Sequence, residues 1–298
     1  MSVHESVLVP DVTARRALLD RVAAAGLDHV TVGDHVSFHG GAGFDGLVAA
    51  TAALCAHDRL PVLVGVYQLA LRNPMVVARQ LASIAQLAPR RLVLGVGAGG
   101  EDRSEVTNCG VDPATRGRRL DESLGLLRQL AAGTPVDHRG DFFTLERAAV
   151  LPAPEPAVPL VVGGSSDAAI RRAAELGDGW LAMFCSVRRF TRRRAEVLER
   201  RAKAERQGPG WFGLSVWCGL DEDGTTARTV LGGRMQALYR LPPERFVNVT
   251  AAGTPEQVAE WLAPYVDAGA GSISIVPAAR SVEAGVELAG EVRRLLAT

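Results

Sequence analysis

Short apolar runs rich in β-branched residues alternate with amphipathic helical patterns along almost the whole chain. The apolar runs recur eight times, and a stretch with helical spacing follows each of them. We predict strands at residues 7–9, 29–32, 61–67, 91–96, 159–163, 180–183, 212–219 and 272–276. The predicted helices span residues 13–25, 44–57, 74–87, 116–132, 167–176, 187–207, 225–239, 255–268 and 282–296.

Eight strand–helix units are the number that closes a (β/α)8 barrel, the TIM barrel. With 298 residues the chain is long enough for this fold, so we predict an α/β protein with a single TIM-barrel domain over residues 1–298. An open doubly wound sheet is the competing arrangement, but its nucleotide-binding form carries a glycine fingerprint in the first strand–helix unit. The first glycine-rich strand end of this chain comes only in the fourth unit.

The stretch 134–156 interrupts the alternation. It carries Gly140 and Asp141 between two short β-prone pieces and ends in a proline-rich segment at 152–156. We interpret it as a short surface excursion containing a hairpin, and not as a boundary between domains.

Composition and charge exclude several classes of protein. The chain has 33 basic and 33 acidic residues, so its charge gives no reason to expect a nucleic acid or a membrane as partner. No apolar run reaches the length of a membrane span and the first residues lack an export signal, so we expect a cytoplasmic protein. The four cysteines are widely spaced, and we expect reduced thiols and no metal site.

Two of the predicted strands end in glycines, with small residues opening the segment that follows. The two sets are Gly97, Ala98 and Gly99 after the fourth strand, and Gly163, Gly164, Ser165 and Ser166 after the fifth. Glycines let the backbone approach a ligand closely, and a helix N-terminus offers unpaired N–H groups and a positive dipole end to an anion. A barrel brings both sets to one rim, which predicts a phosphate-bearing cofactor lying across these strands.

The second predicted strand ends at Asp34 and His35. Histidine donates or accepts a proton near neutral pH, so at the mouth of a barrel His35 is the best candidate for proton transfer. Asp34 can orient the ring of His35 or accept a hydrogen bond from a cofactor ring. The structural alternative is a turn in which both residues only satisfy loop backbone.

Other charged groups are interpreted as structural. Glu101 and Asp102 follow the glycines of the fourth strand and are expected in a solvated loop. The charged residues at 116–122 are expected to form an ion-pair cluster, and the arginine-rich stretch at 188–194 a solvated helix face.

Four segments of this chain resemble the luciferase-like monooxygenase superfamily, in particular its branch that uses the deazaflavin coenzyme F420. They are Val-Gly-Asp-His-Val at 32–36, Arg-Leu-Val-Leu-Gly-Val-Gly-Ala-Gly-Gly-Glu at 91–101, Arg-Gly-Arg-Arg-Leu-Asp-Glu at 116–122, and Pro-Leu-Val-Val-Gly-Gly-Ser-Ser at 159–166 with Gly-Asp-Gly-Trp at 177–180. The four occur in the order of the family, between residues 18 and 180.

The resemblance implies a TIM barrel with a flavin-type ring over its C-terminal mouth, and a homodimer. Asp34 and His35 would lie beside the ring, with His35 as proton donor or acceptor during hydride transfer. The third strand would contact the ring through Gly65, Val66 and Tyr67, where family members often carry a non-prolyl cis peptide bond. The same resemblance assigns residues 97–99 to the side chain of the cofactor and residues 163–165 to its phosphate.

The chain departs from the sugar-phosphate dehydrogenases of that family at two positions. They carry a glutamate where this chain has Gly100, and an aromatic residue where it has His39. The resemblance therefore does not imply oxidation of glucose 6-phosphate, and it leaves the small-molecule substrate open.

Three functions thus compete with an F420-dependent oxidoreductase acting on a small organic substrate. The first is a monooxygenase that uses reduced FMN and oxygen, since FMN also carries a phosphate. The second is a non-redox barrel enzyme acting on a phosphorylated substrate; the only lysine, Lys203, lies on a predicted outer helix, which removes Schiff-base chemistry. The third is a flavin-binding protein without catalysis.

Overall fold

The computed structural model describes residues 1–4, 11–99, 102–206, 208 and 210–297. In chain order its strands are β1 (Ser2–His4), β2 (His29–Val32), β3 (Val62–Tyr67), β4 (Leu92–Val96), β5 (Val136–Arg139), β6 (Thr144–Ala148), β7 (Leu160–Gly163), β8 (Gly179–Met183), β9 (Trp211–Leu220), β10 (Ala251–Gly253) and β11 (Ser272–Ala278). Its helices are α1 (Val12–Ala24), α2 (Gly46–Ala56), α3 (Pro74–Leu87), α4 (Arg103–Asn108), α5 (Arg116–Ala131), α6 (Asp167–Glu175), α7 (Val187–Lys203), α8 (Gly224–Tyr239), α9 (Pro255–Asp267) and α10 (Val282–Leu296). Two 3₁₀ turns lie at Leu69–Leu71 and Pro243–Arg245.

Eight parallel strands close into a barrel, which confirms the predicted TIM fold. Their order around the barrel is β9, β11, β1, β2, β3, β4, β7 and β8, and β8 pairs again with β9. The short strand β10 adds to the outside edge of β9. All of these pairings are parallel, so the C-terminal ends of the strands meet at one mouth.

The first strand of the barrel lies earlier in the chain than predicted. The apolar run at 7–9 falls outside the described residues, and the place between β11 and β2 is taken by β1. β1 contains one apolar residue, Val3, which is fully buried against the helices. Such a short strand is defined by its partners, since Ser2 pairs with both His29 and Ser274.

Side chains of the barrel strands alternate between two environments. Val62, Val64 and Val162 belong to the large apolar core between the barrel and its helices. Because successive side chains of a strand point to opposite faces, Leu63 and Val161 point into the barrel, where they form a separate buried cluster. The barrel interior is therefore a packed core, and space for a ligand exists only at its ends.

The helices begin where the sequence provides capping residues. Asn73 caps α3 and Pro74 occupies its first position, and Asp45 accepts hydrogen bonds from two N–H groups at the start of α2. The residues at 134–156 contain an antiparallel hairpin of β5 and β6, which confirms the predicted excursion. In the described part of the chain, no helix has the length and apolar character needed to cross a membrane.

Candidate active site at the barrel mouth

The C-terminal mouth brings together segments that are far apart in the chain. Asp34 and His35 follow β2, Gln68 follows β3, residues 97–99 follow β4, and Gly164 follows β7. These four strands are consecutive around the barrel, so the predicted site residues share one side of the mouth.

The floor of this side is formed by Val66. Of the two peptide bonds in the segment Gly65-Val66-Tyr67, the one between Gly65 and Val66 is cis. The pairing of β3 with β4 shifts register between Val64 and Tyr67. A Cβ atom added to Gly97 or to Gly163 would lie 2.7 Å from a methyl group of Val66. The glycines of the neighbouring strands thus leave the space that the Val66 side chain occupies.

Tyr67 lies at this strand end, but its side chain points away from the mouth. The ring is buried in the core between the barrel and the helices, with the Arg72 guanidinium 4.2 Å from its centre. Burial raises the pKa of the Tyr67 hydroxyl above its ordinary value. At the mouth Tyr67 offers only its backbone, whose carbonyl accepts a hydrogen bond from Gly97 N at 3.0 Å.

Both carboxylate oxygens of Asp34 are engaged by the protein. Arg72 donates to Oδ1 and to Oδ2, each at 2.7 Å, and the backbone N–H groups of Gly46 and Gln68 donate at 2.9 and 2.8 Å. Burial raises the pKa of this carboxyl, and Arg72 acts against that shift. Asp34 therefore ties together the end of β2, the start of α2 and the segment after β3.

His35 presents one edge of its ring to a buried carboxylate. Its Nδ1 lies 3.1 Å from Oε2 of Glu105, which is 1% exposed, whereas the side chain of His35 is 37% exposed. Oε1 of Glu105 accepts hydrogen bonds from Val36 N at 2.6 Å and from Ser37 N at 3.0 Å. One carboxylate thus holds both the His35 ring and the loop that carries it.

Hydrogen bonds keep Glu105 ionised in this buried position. Burial by itself would raise the pKa of the carboxyl, but hydrogen bonds from Ser37, Gln68 and His35 outweigh it, and the pKa is lowered. Such a group accepts hydrogen bonds and has no proton to donate.

Glu105 is a functional candidate that the sequence analysis missed. It lies on α4, which begins directly after Asp102, a residue that we expected in a solvated loop. The Asp102 side chain caps α4 by accepting from Ser104 N at 2.9 Å, and it also accepts from His39 N at 2.8 Å. Glu101 lies outside the described residues. An aspartate followed three residues later by a glutamate is a helix-start signal that could have revealed α4.

Gln68 joins the two halves of the cluster. Its Nε2 donates to the backbone carbonyl of Asp34 at 3.2 Å and lies 3.2 Å from His35 Nδ1. Its Oε1 is buried, has no hydrogen-bond partner among the described residues, and faces Gly99. An acceptor in this state is costly unless a ligand supplies a donor.

The second glycine set forms the start of α6, as predicted. Gly164 has a φ of +103°, which favours glycine, and Ser166 caps the helix by accepting from Ala169 N at 3.2 Å. Trp180 Nε1 donates to Gly164 O at 2.6 Å and an Arg189 N–H donates to Ser165 O at 3.2 Å. These two hydrogen bonds fix the turn, and because α6 begins shortly after the end of β7, the positive end of the helix lies on the mouth side of the barrel.

Residues 2–240 match the family model described as luciferase-like monooxygenase. One curated relative is the F420-dependent glucose-6-phosphate dehydrogenase of Mycobacterium tuberculosis, 35% identical over 179 residues, which are 56% of this chain and 53% of that protein. The chain spans about half the length of the curated relatives it matches.

Two solved structures share the fold along the whole chain. An F420-dependent secondary alcohol dehydrogenase in complex with an F420-acetone adduct has a TM-score of 0.85 at 20% identity, covering 99% of this chain and 98% of the other. The monooxygenase RslO1 from Streptomyces bottropensis has a TM-score of 0.80 at 19% identity, covering 97% of each chain. The barrel, the order of its site segments and the family match over most of its length lead to one conclusion: this chain belongs to the luciferase-like monooxygenase family.

Proposed function

We propose that this protein is an oxidoreductase that transfers a hydride between coenzyme F420 and a small, neutral alcohol or carbonyl compound. The observation that carries the proposal is the His35 ring, which is held at Nδ1 by Glu105, is 37% exposed, and follows the strand next to the one that carries Val66. The relative that uses F420 on a sugar phosphate and the structural neighbour that uses it on an alcohol both support this class of reaction.

The described residues fit a cofactor that carries a ring and a phosphate. The unpartnered Oε1 of Gln68 can accept a hydrogen bond from a ring N–H, and the Val66 side chain, which fills the space beside Gly97 and Gly163, offers an apolar surface to a planar ring. Gly164, Ser165 and the first turn of α6 would hold the phosphate through backbone N–H groups. When bound, the deazaflavin takes up or gives back the hydride.

Each site residue then has a distinct role. In the oxidising direction His35 accepts the hydroxyl proton of the alcohol, and the carbon that bears this hydroxyl loses a hydride. In the reducing direction His35 returns the proton. Asp34, whose oxygens are all engaged, fixes the position of His35 and Gln68 and contributes no free acceptor. Val66 supports the ring from below.

We propose a neutral substrate and not a sugar phosphate because the chain departs from the sugar-phosphate dehydrogenases at Gly100 and His39. The only lysine, Lys203, is exposed on α7, where it pairs with Glu199 at 2.6 Å. Near the end of β11, Arg280 pairs with Asp221 at 2.6 Å. Neither cation is available for a substrate phosphate without losing its own partner.

A monooxygenase that uses reduced FMN is the second candidate, and the likeness to RslO1 favours it. FMN would use the same phosphate position, so the geometry of α6 does not separate the two cofactors. A non-redox enzyme acting on a phosphorylated substrate would also use this phosphate position, but that function gives no reason for the unpartnered Oε1 of Gln68. We further propose the homodimer that the family resemblance implied and the cytoplasmic location expected from the sequence; light scattering of the purified protein tests the dimer.

Anaerobic hydride transfer tests the proposed function. Oxidised F420 is mixed with the protein and with a panel of secondary alcohols, and glucose 6-phosphate serves as the comparison substrate. We expect loss of the F420 absorbance with at least one neutral alcohol and a much smaller rate with glucose 6-phosphate.

The matched variant in this assay is His35→Gln. It should lower turnover by about 10²- to 10⁴-fold, the usual contribution of a general base, and leave the affinity for F420 within about twofold. Turnover that persists in the variant would contradict the role of His35. Absence of any F420 reduction, together with oxygen consumption when reduced FMN is supplied, would replace the proposal by the monooxygenase.

A further inference from the structure

The contact with Glu105 constrains the protonation of the His35 ring as well as its position. The carboxylate is almost completely buried and ionised, and its Oε2 faces the Nδ1 atom of the ring at 3.1 Å. An ionised carboxylate can only accept, so a hydrogen bond between these atoms requires the proton to be on Nδ1. A ring nitrogen carrying a lone pair at this distance would instead repel the carboxylate.

Gln68 is the other polar neighbour of Nδ1, and its amide group has hydrogen-bond acceptors other than Nδ1. Gln68 Nε2 lies 3.2 Å from Nδ1, and as a donor it would favour the opposite tautomer. However, Nε2 already donates to Asp34 O at 3.2 Å, and Gln68 also donates to Glu105 and lowers its pKa. The charged acceptor forms the stronger hydrogen bond, so it determines the state of Nδ1.

We propose that Glu105 is a positioning residue that holds neutral His35 in its Nδ1–H tautomer, which leaves the lone pair of Nε2 as the proton acceptor at the barrel mouth. Nε2 makes no hydrogen bond to any described residue, and the His35 side chain is 37% exposed. In the alternative tautomer Nε2 would carry a proton already and could not remove one from a bound alcohol. The role of Nε2 in catalysis rests on the proposed function, whereas the tautomer does not.

The test is the state of the two ring nitrogens in the protein without cofactor. Long-range ¹H–¹⁵N spectra of histidine-labelled protein distinguish the two tautomers, and His35→Gln assigns the His35 signals among those of the six histidines. At a pH where the ring is neutral we expect Nδ1–H. A wild-type ring with its proton on Nε2 would overturn the proposal, whether or not any variant folds.

Glu105→Gln makes the test specific. The introduced amide oxygen can still accept from Val36 N and Ser37 N, but its NH₂ group now faces Nδ1 and donates to it. The proton of His35 should therefore move to Nε2, and kcat should fall about tenfold or more with little change in cofactor affinity. An unchanged tautomer in a folded variant would overturn the proposal.

Glu122 provides a matched control within the same chain. Its carboxylate also accepts from two backbone N–H groups, of Phe142 and Phe143, and contacts a histidine, His138, at 2.9 Å. Glu122→Gln should change the ring of His138 and leave the spectrum of His35 and the turnover unchanged. If Glu105→Gln inverts the tautomer but no F420 turnover exists, the proposed function fails and the assignment of Glu105 stands.

Discussion

At the scale of single residues, the site depends on two carboxylates with different tasks. Asp34 is paired with Arg72 and caps two backbone N–H groups, so it fixes positions. Among the described residues, the only side chain that can give Glu105 a cationic partner is His35, when its ring is protonated. Glu105 is therefore held ionised mainly by hydrogen bonds from N–H groups. A buried carboxylate of this kind is sensitive to acid, which can be measured.

The pH dependence of unfolding tests the state of Glu105. Its folded pKa lies below the reference value of 4.5, so ionisation contributes stability that is fully present above that pH and is lost as the pH falls through the folded pKa. We expect the free energies of unfolding of wild type and of Glu105→Gln, measured with urea, to converge as the pH is lowered from about 6 to about 3. A difference that stays constant over this range would show that folding does not lower the pKa of Glu105.

At the scale of secondary-structure elements, the bulge in β3 and the glycines of β4 and β7 form one unit. The side chain of Val66 occupies space that exists only because Gly97 and Gly163 have no Cβ atom. From the sequence we expected these glycines to contact a cofactor, and in the structure they also make room for the Val66 side chain.

Gly163→Ala tests this packing. The new methyl group would lie 2.7 Å from Val66, so we expect a loss of about 1–3 kcal/mol in the free energy of unfolding. Combining it with Val66→Ala should recover part of that loss, because the clash is removed. Gly125→Ala in α5 is the control, since no atom of the described residues outside this helix's own backbone lies within 4 Å of the added Cβ and alanine favours the helix by about 1 kcal/mol. Additive losses in the double variant would contradict the contact.

At the scale of the whole molecule, the alternating pattern was enough to predict a barrel, and local capping predicted several helices accurately. β2, α3 and α10 begin and end at the predicted residues, since their boundaries carry strong local signals such as Pro74 at the first position of α3. β1 was misplaced because a three-residue strand is selected by its neighbours in space.

The candidate site was predictable only where it is local. Asp34, His35 and the two glycine sets were recognised at strand ends, and Gly65–Val66 was one of two bonds considered for the cis peptide. The contact between His35 and Glu105 joins residues 70 positions apart and depends on a helix of six residues. No periodic pattern of that length identifies such a helix, so the partner of His35 required the folded chain.

Anaerobic binding titrations with F420 and with FMN, each in oxidised and reduced form, are the decisive test of the proposed cofactor. We expect F420 to bind with a micromolar or lower dissociation constant and FMN to bind much more weakly. We also expect Gln68→Met, which removes the unpartnered acceptor, to weaken F420 binding. A preference for FMN would overturn the proposed cofactor and place the protein among the oxygen-using monooxygenases, and binding of neither would overturn the assignment of Gly163, Gly164 and Ser165 to a cofactor phosphate.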